Sequence, residues 1–345
     1  MNNGKTILLA CPNDYELHNL IEKNLIYLGF KVVKIISTSI PSFKYPNFKL
    51  RIINFYKKKF LKDINYKNQL IADFYSNVHF TTISKHDNFD FALFIRADFF
   101  SDKILEFAKS KTKKMISYHY DGLSRSPEIF GKIKYFNDFF VFDNDDLQNK
   151  KYALKPCTNF YFDFDINDKI EIIDVNFDSY FLGSFDESRM QKILDYNQIM
   201  TNNNLICATD LAFNKSNRKY AISLKNKNIN CLKKIMPFGE YIEKIKKSKI
   251  IVDFVIDAHK GLSFRVFESL KYEKKLVTTN QNILNYDFYN PKNIFVLTDD
   301  NFASLNDFIK TDYEKIPDRI RFKYSFTNWI NYICGNANAL SINIH

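Results

Sequence analysis

The sequence predicts an α/β protein of two doubly wound domains facing a cleft. Three observations carry that prediction. Apolar runs of five to seven residues alternate with segments of helical period along the chain. The alternation lapses once, over residues 155–179, and then restarts. A chain of 345 residues is long for one core and natural for two of roughly 150 residues each. The expected division is 1–165, 175–315, and a C-terminal helix and tail, 316–345, packing back on the first domain.

The elements follow in order. "KTILLAC" (5–11) reads as a buried strand, residues 17–28 as a helix with leucine or isoleucine at 17, 20, 21, 25 and 28, and "KVVKII" (31–36) as the next strand. Gly29 stands where a helix closes in a left-handed residue, so these pieces form a parallel βαβ unit. "FDFALFI" (89–95), a helix opening at Ser101, "KMISYHY" (114–120), "DFFVFD" (138–143) and a short helix over "NDDLQN" complete the first half. The second half opens with "YFLGSF" (180–185), a helix over "DESRMQKILDYNQIM", and "NLICAT" (204–209). It continues with a helix over "FGEYIEKIKKSK", "IIVDFVI" (250–256), a helix over 262–271, "KLVTT" (275–279) and "NIFVL" (293–297). "FASLNDFI" and "RIRFKYSFTNWINYIC" read as terminal helices.

Composition narrows the classes. Apolar residues make up 46%, enough for packed cores. The five cysteines are scattered, odd in number and without CxxC spacing, which predicts neither a disulfide framework nor a zinc site and fits a reducing cytosol. No run approaches the length of a membrane span, and the five-residue apolar run ending at Cys11 is too short for a cleavable signal. G-x-G-x-x-G, G-x-x-x-x-G-K-[ST] and H-E-x-x-H are all missing, so dinucleotide hydride transfer, NTP hydrolysis and zinc proteolysis lack support.

The net charge is +11, and much of it sits in residues 42–71, where eight basic residues face one acid, Asp63, with aromatics interleaved. Such a segment can dock on anionic headgroups or track a phosphate backbone; a solvated basic helix is the plainer alternative.

The chemistry-bearing stretch is "HKGLSFRVFESLKYEKKLVTTN" (259–280). On a helix over 262–271, Leu262, Val266, Phe267 and Leu270 share one arc, and Arg265 and Glu268 fall on the other side. The loop His259, Lys260, Gly261 precedes it, so N–H groups and a lysine can meet a phosphate there, and a glutamate one to two turns in can accept from ribose hydroxyls. A surface ion pair between Arg265 and Glu268 is the alternative.

"GLSFRVFESLKYEKKLVTTN" followed by "NILNYDFYNPKNIFVL" resembles the C-terminal half of GT-B glycosyltransferases, two Rossmann-like domains about a cleft. It is most similar to the spore-maturation-type group and to transferases of bacterial lipopolysaccharide, O-antigen and capsule assembly. The resemblance covers 180–300 and, before that, architecture alone. It implies a nucleotide-sugar donor held by the second domain, with the acceptor on the first. In that family a G-x-x-x-R-x-x-E segment opens the nucleotide-sugar helix, which maps onto Gly261, Arg265 and Glu268. "YFLGSFDESR" resembles its first strand and turn in that half, which implies Gly183 and Ser184 near the donor phosphates; Ser263 joins the donor set. Many members carry two glutamates eight apart, whereas the position eight before Glu268 is Lys260.

On the first domain, "SYHYDGLSRSP" (117–127) follows a strand directly and crowds His119, Asp121, Ser124 and Arg125 into one loop. Asp121 can take the acceptor's proton or attack the anomeric carbon. His119, Ser124 and Arg125 are the expected substrate contacts, Arg125 suiting an acidic sugar or phosphate. The alternative has Asp121 as a helix cap paired with Arg125. Asp14 is a second candidate base, read more simply as a cap, and His18 lies one turn further on. "FDFDIND" (162–168) mimics a D-x-D metal site but falls in the crossing, so no metal and no cofactor is expected.

The expectation is therefore a metal-independent glycosyltransferase with a nucleotide sugar and a glycan or glycolipid as partners. It would be bacterial and cytoplasmic, peripheral on the inner face of the membrane through 42–71. Nucleic acid is not expected. The alternatives are transfer of an acidic sugar such as Kdo from CMP, and a non-catalytic two-lobed binder of sugar phosphate or nucleic acid.

Overall fold

Every strand pairs in parallel, which forces each connection to cross the sheet and bury both its faces. The structure is a computed structural model and describes residues 4–14, 16–37, 43–61, 66–164, 175–224, 227–234, 236–256 and 260–343.

The first half runs β1 (Thr6–Pro12), α1 (Leu17–Tyr27), β2 (Lys31–Ser37), α2 (Phe48–Phe60), α3 (Tyr66–Ser84), β3 (Phe89–Ile95), α4 (Asp102–Ser110), β4 (Thr112–His119), β5 (Asp138–Val141), α5 (Asn144–Leu147) and β6 (Leu154–Pro156). The second runs β7 (Phe177–Ser184), α6 (Met190–Asn202), β8 (Cys207–Ala212), α7 (Ala221–Leu224), β9 (Ile229–Leu232), α8 (Phe238–Lys246), β10 (Ser248–Asp253), α9 (Phe264–Lys271), β11 (Lys275–Thr278), β12 (Ile294–Val296) and α10 (Leu305–Lys310), followed by α11 (Asp318–Lys323) and α12 (Phe326–Cys334). The sheet orders are β2-β1-β3-β4-β5-β6 and β12-β11-β10-β7-β8-β9.

The apolar runs of the sequence are strands covered on both faces. Along β1, Ile7, Leu9 and Cys11 enter one core while Leu8 and Ala10 enter the other. In β7, Tyr180 and Leu182 face one core and Phe181 the opposite one. Gly29 closes α1 with φ of 86°, as its placement predicts.

Strand order sets where a ligand can sit. In the first sheet the chain winds outward from β1 to β2, then returns to start β3 on β1's other side. In the second it reverses between β7 and β10. These are the switch points of doubly wound sheets, where the loops at the strand C-termini part to leave a crevice.

The chain leaves the first half through residues 157–164 and returns after α11. The two passes lie side by side: Tyr161 N–H donates to the Tyr324 carbonyl (3.1 Å), and Phe326 N–H to that of Tyr161 (2.8 Å). Phe160, Phe162 and Phe326 sink into the first core, Tyr161 and Tyr324 into the second. Helix α12 then docks on the first half, its fully buried Trp329 meeting Tyr118 edge to face (5.2 Å between centroids) and Phe160 (4.5 Å).

Three details correct the sequence reading. The helix expected from Leu262 starts at Phe264. The terminal helical run is two helices broken at Tyr324–Ser325. Strands β6 and β9, of three and four residues, were not anticipated because such lengths carry no readable period.

Candidate active site at the cleft between the two sheets

A cavity of about 680 Å³ opens between the two halves, at both switch points. Its first-half wall is made by residues just beyond β1, β3 and β4: Asn13 and Asp14, Arg96, and Tyr120, Asp121 and Arg125. The facing wall is made by Gly183, Ser184 and Arg189 after β7, Asp253 at the end of β10, and Ser263, Arg265 and Glu268 at the start of α9.

The second wall is organised around Asp253, which is fully buried. Ser263 Oγ (2.8 Å) and Arg265 Nε (2.9 Å) donate to its Oδ1, and Thr278 Oγ1 to its Oδ2 (3.1 Å). Arg265 Nη1 also donates to the Leu182 carbonyl (3.0 Å). Its guanidinium is thus fixed against the cleft rather than paired with Glu268. Because the Ser263 hydroxyl turns to Asp253, no side chain caps α9. The start of α9, Ser263 to Arg265, thus lines the cavity without a side-chain cap, the arrangement that favours an anionic group.

Glu268 is 2% exposed yet lines the cleft. Tyr241 O–H donates to its Oε2 at 2.6 Å, while Oε1 has no hydrogen-bond partner among the described residues. Burial pushes this carboxyl up to about 7, against the pull of the Tyr241 hydrogen bond and the Arg265 charge. An unsatisfied buried acceptor is costly alone, which makes a carboxyl holding one in a cavity wall a candidate ligand contact.

Gly183 leaves no room for a side chain unless Arg189 or Phe181 shifts. A Cβ there would lie 2.7 Å from Arg189 Nη2 and 2.8 Å from the Phe181 ring. Arg189 is buried beneath it, donating to the carbonyls of Ser184 and Phe254 (the latter at 2.8 Å). Gly261 is pinned from across the cleft: a Cβ would lie 2.4 Å from the Phe142 ring and 2.7 Å from the Phe142 carbonyl oxygen. Asn159 Nδ2 donates to the Leu262 carbonyl (2.9 Å), and Lys260 N–H to Asp143 Oδ2 (3.0 Å). The loop before α9 is therefore latched to the first half.

On the first wall, Asp121 is gripped twice. Arg96 Nη1 donates to Oδ2 (3.1 Å) and Arg125 Nη1 to Oδ1 (3.0 Å). Arg96 follows β3 in a left-handed conformation, φ 56°, which is uncommon for a residue with a side chain. Two further bonds to Asp98, of 3.0 and 2.7 Å, lock it. Strain over-determined in this way is typical of functional loops. Tyr120 O–H donates to Asp14 Oδ2 (2.9 Å), so Asp14 faces the cleft instead of capping α1 with its side chain.

Several expected contacts do not reach the cavity. His119 is fully buried because β4 alternates: Tyr118 enters one core, His119 turns toward Asp98 on the other face (3.7 Å), and the cleft receives Tyr120 and Asp121. Burial pushes His119 down to about 4. Ser124 is exposed outside the cavity wall. The Lys260 ammonium pairs with Asp145 (2.6 Å) on the outer side of the latch, not with the cleft. His259 lies outside the described residues, as do 165–168 of the D-x-D-like stretch; Asp163 accepts from Thr327 N–H (2.7 Å) and hydroxyl (2.9 Å). Among the described residues no three His, Cys, Asp or Glu side chains gather to hold a metal ion.

Arg96, Arg189, Tyr241 and Asp253 were not singled out from sequence. Two had a signal: Arg96 directly follows a strand, and Asp253 interrupts the apolar run "IIVDFVI". Tyr241 had none.

No protein-family model matches the chain, and no curated protein matches it in sequence. Solved structures do. A lipopolysaccharide outer core galactosyltransferase, WaaB in its apo form, matches with a TM-score of 0.53 over 96% of this chain and 99% of that one, at 13% identity. An α-glucosyltransferase solved with UDP-glucose and DNA containing an abasic site matches with a TM-score of 0.53 over 96% of both chains, at 12% identity. The chain has the GT-B fold. An α-glucosyltransferase in complex with UDP aligns equally well, with a TM-score of 0.53 and 11% identity over 95% of this chain and 96% of that one. In GT-B terms, the Asp253–Arg265–Glu268 wall belongs to the C-terminal domain and the Arg96–Asp121–Arg125 wall to the N-terminal one.

Proposed function

We propose that the chain is a glycosyltransferase that moves a sugar from a nucleotide-activated donor to a cell-surface glycan or lipid-linked acceptor. One observation carries the reading: the uncapped start of α9, Arg265 and Glu268, one of whose carboxyl oxygens has no partner among the described residues, all line the interdomain cavity. A nucleoside diphosphate needs that set in that order, with anion-binding N–H groups and a cation for the phosphates and a carboxylate for the ribose hydroxyls. The GT-B neighbours solved with UDP or UDP-glucose support the donor class.

In this reading Gly183 and Ser184 let the donor phosphates approach the backbone, and Ser263 and Arg265 hold them. No metal takes part; Arg265, Arg189 and the α9 N–H groups balance the charge that grows on the leaving phosphate as its bond to the anomeric carbon breaks. Asp121 faces the donor across the cavity. It either accepts the proton of the acceptor hydroxyl as the new C–O bond forms, or attacks the anomeric carbon first. The former inverts the anomeric configuration and the latter retains it. Arg96 orients Asp121, and Arg125, 44% exposed, must swing away to admit the acceptor. That mobile guanidinium also suits an acidic sugar, which keeps a CMP-linked Kdo-type donor as the second reading. A cytoplasmic enzyme at the inner membrane face fits such acceptors.

The test is calorimetric titration of UDP, GDP, ADP and CMP into the protein and its Glu268→Ala form. One base should bind best, and the variant should bind it about 10–100-fold more weakly, the worth of a hydrogen bond to a charged group. Equal affinity in both proteins removes Glu268 from the site and the reading with it.

A further inference from the structure

Helix α2 lies on the surface and adds nothing to either core. None of its residues is buried. Asn54 donates to the Tyr45 hydroxyl in the segment that leads into it (2.9 Å), and Lys57 lies over the ring of Tyr66 on the neighbouring α3 (4.1 Å). The outer face of α2 is apolar where a solvated helix should be polar. Phe48 is 71% exposed and Phe55 and Phe60 are each 60% exposed, with Ile52 and Tyr56 beside them.

At 100° per residue, Phe48, Ile52, Phe55 and Tyr56 form one stripe with Lys59 inside it. Arg51 and Lys58 flank the stripe on one side and Lys49 on the other. Residues 43–61 contain no acidic residue. An apolar stripe with basic margins matches an interface where hydrocarbon lies beneath a sheet of anionic headgroups. Duplex DNA offers the charge but nothing for Ile52 and the outward phenylalanines to bury against.

We infer that α2 lays this face on an anionic bilayer, with its aromatic side chains in the headgroup–acyl boundary and Lys49, Arg51, Lys58 and Lys59 against lipid phosphates. The surface lies on a helix apart from the cleft residues, so the inference goes beyond glycosyl transfer and is tested without a sugar substrate.

The experiment is co-sedimentation of the full chain with vesicles of phosphatidylcholine alone and of phosphatidylcholine with phosphatidylglycerol in equal parts. The protein should pellet with the mixed vesicles and not the neutral ones, and added salt should release it. A Phe48→Ser/Phe55→Ser/Phe60→Ser variant should partition at least about tenfold less, given the apolar area each ring would bury. A Lys49→Gln/Lys58→Gln/Lys59→Gln variant should lose about fivefold per lysine. Circular dichroism and unfolding midpoints equal to the parent's would confirm that these exposed substitutions leave the fold intact. Three results overturn the inference: a wild type that stays in solution with the mixed vesicles, variants that pellet as well as the parent, or a duplex oligonucleotide bound more tightly than the vesicles with the phenylalanines dispensable.

Discussion

A carboxyl held near neutrality makes Glu268 a titratable contact, and its sign can be worked out. Its folded value, about 7, lies above the ordinary 4.5. The bound proton therefore stabilises the unliganded protein below about pH 4.5, and that contribution, on the order of 3 kcal/mol, drains away as pH rises through 7. A ligand hydroxyl prefers the carboxylate, so binding follows the opposite course. Nucleotide affinity should climb about tenfold from pH 6 to pH 8. A Glu268→Gln variant, whose amide oxygen can still accept from Tyr241, should show only the titration of the phosphate itself. Identical pH profiles for the two proteins would mean Glu268 does not touch the ligand. Arg265 and Glu268 were legible in the sequence because a glycine, an arginine and a glutamate at helical spacing are local signals. Their partners were not: Asp253 meets Arg265 across 12 residues and Tyr241 meets Glu268 across 27, distances that only the tertiary fold closes. The alternative, an Arg265–Glu268 ion pair, does not form for the same reason, since each found a partner in another element.

The start of α9 is held from two directions. Asp253 holds it within the C-terminal domain, and Phe142, Asp143 and Asn159 hold its leading loop from the N-terminal one. Gly261→Ala inserts a methyl 2.4 Å from the Phe142 ring, with the Phe142 backbone oxygen close behind. Rotating the ring alone cannot clear it. Overpacking of this kind costs about 1–3 kcal/mol. The variant should unfold at lower temperature and bind nucleotide more weakly, because the latch moves with the helix. A variant matching the parent in both measurements would show that the loop parts from Phe142 without cost. Among the elements, the buried parallel strands were the most readable, since cover on both faces turns alternation into unbroken apolar runs. Helix α2 was readable as basic and aromatic, but which of its side chains face outward depends on the helices around it.

At the scale of the molecule, two separately wound sheets are joined by more than a linker. Helix α12 belongs to the far end of the chain yet completes the first core, with Trp329 lodged among Tyr118, Phe160 and Phe326. Trp329→Ala should cost about 3–5 kcal/mol. It should do so by loosening the N-terminal domain, so the midpoint measured there drops while the nucleotide's stabilising effect on the C-terminal domain persists. Loss of nucleotide binding at temperatures where the C-terminal domain is still folded would contradict that separation. The overall plan was legible from the single lapse in alternation over 155–179. The pairing of the outgoing and returning segments at Tyr161 and Ser325 was not, because nothing local marks residues so far apart as neighbours. Two chain segments pinned side by side by a pair of backbone hydrogen bonds are harder to wring than a single one. Any opening and shutting of the cleft would then favour a single arc, one that returns Asp121 to the same spot opposite Arg265 each time.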